Sequence, residues 1–190
     1  MTIQDIVGLC AQLLQFDFDG ELFEKNCSDS FLYQTLKDNK NFALLVKCVT
    51  LCETELACDY FPLKSSQRFE SNSIKTKDFE KALHEVVKVR DANGDEVKFV
   101  VNSDGIVANC KGDILVDYHY RPQAKGYFDE LDRGNPKMDE RLFAYGAIAE
   151  FMFLSGSYDE ASLWDKRYKD LIQVALYENR SMKIPQRRWK

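Results

Sequence analysis

Apolar residues recur every three or four positions towards both ends of the chain and alternate with polar ones in its middle. Ile3, Ile6, Val7, Cys10, Leu13 and Leu14 share one helical face and predict a helix over 2–15. Thr2 is placed to cap it, with Asp5 completing a variant of the capping box. Phe16 to Gly20 reads as a turn, Glu21 to Lys25 as a short helical turn, and Phe31, Leu32 and Leu36 as a second helix capped by Ser28 or Asp29. Phe42, Leu45, Val46, Val49, Cys52 and Leu56 predict a third, over 41–59. It is stopped at Phe61-Pro62, because the residue before a proline is driven out of the α region.

From Leu63 the period shortens. Short β-compatible runs fall at 68–70 and 73–75, with 78–82 as a connecting turn. Two longer runs, 85–90 and 96–101, flank Asn93-Gly94, the pattern of a β-hairpin. Ile106 to Ala108 and the run 114–121, closed by Pro122 and expected to be the longest strand, complete four to six antiparallel strands. Helical period returns with Leu142–Leu154, breaks at Ser155-Gly156-Ser157, and resumes from Tyr158 through Trp164, Tyr168, Leu171 and Ala175 as an αα-hairpin. Gly146, inside the first of these helices, implies close approach by another helix.

The expected fold class is therefore α+β: a helical bundle of N-terminal and C-terminal helices with an inserted antiparallel β subdomain. The expected divisions are 1–63 and 137–180 for the bundle, 64–124 for the β insert, 125–136 for a linker and 181–190 for an extended interaction tail.

Composition narrows the partners. Of the 190 residues, 45% are hydrophobic and 30% charged, as in globular domains, and no apolar run approaches the roughly 20 residues that span a bilayer. The start lacks the basic region of a signal peptide, so synthesis in the cytosol is expected. A net charge of −5 argues against general nucleic-acid affinity. The six cysteines lack the Cys-x-x-Cys or Cys/His spacing of a zinc site and read as reduced, buried thiols.

Few residues suggest chemistry. The stretch Asp91 to Glu96 resembles the start of a calcium loop, but its Gly is fourth rather than sixth and strands flank it, which favours a turn. His84 and His119 lack a nucleophile or a ligand-spaced partner. Glu53, Glu55 and Asp59 could serve a metal-dependent enzyme, yet carboxylates at helical spacing usually form a solvated face. Tyr158, Trp164 and Tyr168 read as core. No catalytic residue, cofactor or metal is expected.

The tail differs in kind. Beyond Glu178 every charged residue is basic, and Lys183-Ile184-Pro185-Gln186-Arg187-Arg188-Trp189 joins cations to an aromatic. Trp and Arg dominate many interfaces, so these residues are expected to bind a partner. Ala144-Tyr145-Gly146 with Ala149-Glu150, Ser155-Gly156 with Tyr158-Asp159-Glu160-Ala161 and Trp164 to Lys169, Lys183-Ile184-Pro185 with Arg187-Arg188-Trp189, and Glu55 to Leu63 together resemble tailed-phage head-to-tail adaptor proteins of the tail tubular A type.

That resemblance implies a structural virion protein: a dodecameric ring between the portal protein and the tail or neck proteins. DNA would pass through its channel without specific binding. It also implies a place in the virion neck, assembly in the host cytoplasm, and Lys183, Ile184, Pro185, Arg187, Arg188 and Trp189 as the portal-binding peptide. The alternative is a monomeric interaction module that docks the same tail on another partner.

Overall fold

The computed structural model describes residues 1–16, 38–110 and 112–177. The expected elements at 16–36 lie almost wholly outside these residues, as do the tail 181–190 and Cys27. Helix α1 spans Ile3–Leu13, and its cap is the one expected. Thr2 Oγ1 accepts the Asp5 N–H at 3.2 Å while Asp5 Oδ2 accepts the Thr2 N–H at 2.8 Å, so each side chain satisfies the other residue's otherwise orphaned N–H.

Helix α2, Lys40–Glu55, begins at Asn39, whose side chain accepts from Asn41 and Phe42. It does not run on to Asp59 as a regular helix. A π turn, Leu56–Tyr60, widens its end so that the Phe61 N–H reaches the Leu56 carbonyl at 2.7 Å, just before Pro62. Helix α3, Glu140–Ser155, is capped by Asp139 and closed by Gly156 at φ 86°; helix α4, Tyr158–Tyr177, follows. The Ser157 N–H reaches back to the Met152 carbonyl, which forces the left-handed Gly between the helices.

The fold is α+β with antiparallel sheets. Strands β1 (Leu63–Phe69), β6 (Ile114–Tyr120) and β3 (Leu83–Asp91) form one sheet in that order. Strands β2 (Ser73–Lys75), β5 (Gly105–Ala108) and β4 (Phe99–Asn102) form the other. The turn at Asn93-Gly94 exists, with Gly94 at φ 91° and the Asp91 carboxylate accepting from Asn93 and Asp95. The hairpin expected from it does not extend. Beyond the Arg90–Glu96 bridge the chain leaves β3, whose ladder is with β6, and β4 pairs with β5 instead. This departure carries Val97 and Phe99 against a core shared by both sheets. β3, not β6, is the longest strand.

Two cores result. Residues of α1, α2, α3 and α4 meet in the first, around Ile6, Leu45, Cys52, Phe143 and Tyr168. The second holds Ile74, Phe79, Val89, Ile106, Ile114, Val116 and Tyr118, all from the β part. The segment 125–136, expected as a linker, is packed. Tyr127 and Leu131 enter the helical core, and the Ile3 and Gln4 N–H groups donate to the Asp129 and Tyr127 carbonyls. Its Gly- and Asp-rich composition supplies turns between anchors rather than slack.

Candidate functional site

The portal-binding residues expected from sequence, Lys183, Ile184, Pro185, Arg187, Arg188 and Trp189, lie outside the described residues. The carboxylates on α2 lie within them and take separate tasks. Glu53 is buried, 2% exposed, and accepts from Lys125 Nζ and from the Asp132 N–H at 2.6 Å; Lys125 also meets Asp132 at 3.0 Å. Burial raises the Glu53 pKa, with the Lys125 hydrogen bond working against it. The group is a clasp that fastens the packed segment 125–132 onto α2. A buried carboxylate held by an ammonium and a backbone donor has little free capacity for a metal ion.

Glu55 faces elsewhere. Its Oε2 accepts the Tyr168 hydroxyl at 3.2 Å, and Tyr168 in turn accepts from Cys52 Sγ at 3.8 Å. Burial is the largest cause of the raised Glu55 pKa, with Glu150, Asp59 and Asp165 adding repulsion. The same burial pushes the Tyr168 hydroxyl up. This chain ties α2 to α4 beside Gly146 of α3, where the packing is tight. A Cβ built on Gly146 would lie 2.4 Å from Cys52 Sγ and 2.8 Å from the Tyr168 ring. The close approach expected of Gly146 is thus a thiol and an aromatic edge, one from each flanking helix. Glu53, Glu55 and Asp59 therefore do not converge, and no cluster of three metal-ligating side chains occurs among the described residues.

Both histidines are engaged on the first sheet. His84 Nδ1 accepts from Arg121 Nε at 3.4 Å, and His119 Nδ1 lies 3.4 Å from Glu85 Oε2. Beside His119, Asp117 binds Ser66 Oγ at 2.6 Å and the Arg90 guanidinium in an open hollow of about 470 Å³. Asp117 and His119 there each have a partner on an adjacent strand, as cross-strand pairing favours. Cys10, Cys48 and Cys52 are buried free thiols. Burial pushes Cys48 up to about 12, and Cys10 and Cys52 upward as well, away from the thiolate a nucleophile needs.

Sequence reasoning missed Lys125, because its partner Glu53 lies 72 residues away. It also took Tyr158 for core, whereas Tyr158 opens α4 and is 66% exposed. Among the described residues no helix is long and apolar enough to cross a membrane. Compared with known protein families and with curated proteins, the chain matches none.

Proposed function

We propose that this chain is a structural connector of a virion neck: an adaptor whose copies form a ring between a portal and a tail. In this reading the four helices form one bundle, the β part is an arm inserted into it, and residues 181–190 are the peptide that docks on the portal. The observation that carries the reading is the arrangement itself. Helices from before and after the β part share one core, and the β part has a core of its own. Such an arrangement supplies a rigid body and a separately built arm, which suits a component that must reach a neighbour.

The basic, aromatic tail sequence supports the reading, because Arg and Trp supply both charge pairing and desolvated anchoring at an interface. Deletion of Ser181–Lys190 should abolish co-sedimentation with portal assemblies while leaving thermal unfolding unchanged. Normal portal assembly by the truncated chain refutes the assignment.

A further inference from the structure

Helix α4 packs on the rest of the protein with one side only. Ala161, Tyr168, Ile172 and Ala175 are buried along that side. The opposite side carries a second seam, at positions 160, 163, 167, 170, 174 and 177, whose steps alternate three and four. That is the spacing of a helix–helix contact line. Leu163, Val174 and Tyr177 on this seam are 65%, 55% and 64% exposed, and the Arg167 and Asp170 between them are exposed too. Side chains this apolar, spaced this way, leave α4 a face without a partner among the described residues.

We propose that this face is a two-fold interface with a second copy of the chain, formed by antiparallel pairing of α4 with α4. The charge pattern selects the occupant. Turning the helix end for end about the point between Tyr168 and Lys169 sets Leu163 opposite Val174 of the second copy and Arg167 opposite Asp170. Both pairs occur twice by symmetry. A parallel pairing would instead set Arg167 against Arg167 and Asp170 against Asp170, which like-charge repulsion opposes. Tyr177 falls opposite Glu160, a carboxylate able to accept its hydroxyl.

Arg167 is already held in place, its guanidinium 4.9 Å from the centre of the Trp164 ring. Less side-chain freedom is therefore lost on pairing.

A contact of this kind is isologous and closes at two chains; it belongs to the free chain in solution, apart from any ring, and rests on no part of the connector reading. The seam from Leu163 to Tyr177 is only about 21 Å long at 1.5 Å per residue. The interface therefore falls at the small end, below about 1,200 Å², and its dissociation constant is expected at roughly 10–100 µM.

Sedimentation velocity of the full chain across that concentration range tests the assignment, with Asp170→Arg, Arg167→Asp and the double exchange measured alongside. Each single reversal should weaken dimerisation at least tenfold, and the double exchange, which restores opposite charges across the two-fold, should recover it. Asp170 is exposed, with no ion pair among the described residues, so Asp170→Arg should leave the fold intact, which circular dichroism verifies. A monomer at every concentration overturns the proposal. So does an oligomer, dimeric or larger, that neither reversal weakens.

Discussion

Replacing Gly146 with alanine probes the tightest point of the helical core. The added Cβ would stand 2.4 Å from Cys52 Sγ and 2.8 Å and 3.1 Å from two carbons of the Tyr168 ring. Attractive contact between such atoms begins near 3.5 Å, so the methyl group intrudes by roughly an ångström on both flanking helices at once. Neither obstacle swings away freely: Tyr168 is hydrogen-bonded to Glu55 and Cys52, and both Cys52 and Tyr168 are buried. Overpacking of this kind costs about 1–3 kcal/mol, and the better helix propensity of alanine returns about 1 kcal/mol of it.

Two obstacles met at once place the cost in the upper part of that range, about 2–3 kcal/mol, so the net expectation is a loss of about 1–2 kcal/mol, seen by calorimetry as a Tm lowered by about 2–8 °C. In a Cys52→Ala background the nearer obstacle is gone, and the same substitution should cost measurably less. An unchanged or raised Tm, or a cost identical in both backgrounds, would show that the approach is not tight.

Two further expectations concern the carboxylates of α2. Lys125→Met strands the buried Glu53 carboxylate and should cost about 3 kcal/mol in urea unfolding, whereas Lys125→Met with Glu53→Met should cost less than that single change; strict additivity would refute the clasp. Burial and neighbouring carboxylates raise the Glu55 pKa above its ordinary 4.5, so the folded chain keeps this proton where the unfolded chain has lost it. The stability from Glu55 is then fullest below 4.5 and falls as pH rises through the raised value. Glu55→Gln keeps an acceptor for Tyr168 and should flatten that decline in urea midpoints measured from pH 4.5 upward. A wild-type–variant difference that stays constant with pH would exclude the effect.

Local signals in the sequence were legible where local chemistry decides the outcome. Thr2 with Asp5 marks the start of α1, Asn93-Gly94 marks a turn, and Gly156 marks the break between α3 and α4, because each solves a backbone problem within a few residues. What lay beyond reach depends on distant partners. Asn93-Gly94 identifies a turn but cannot tell that β6 takes the ladder of β3 and that Phe99 is drawn to a core shared with β2 and β5. Gly and Asp in 125–136 suggest slack, yet Tyr127 and Leu131 anchor the segment. Glu53 looks like any carboxylate on a helix until Lys125 is brought to it. Of the candidate site, the tail was legible as a change in charge, and the outward seam of α4 was hidden among residues that also carry the buried face.

The β part leaves and re-enters the helical body at one place. Leu63 and Tyr120 are antiparallel partners, so the backbone ends of everything between them are about 5 Å apart. For the helices this stretch is a closed excursion, whose ends a short turn could join without moving either α2 or the packed segment before α3. Another module with ends equally close should therefore be accepted at the same socket, since lengthening an excursion costs little chain entropy. Variation between chains of this architecture should concentrate in that excursion while the socket stays constant. The close fit of Gly134 against the Phe61 carbonyl, where a Cβ would lie 1.9 Å away, marks the socket's rim.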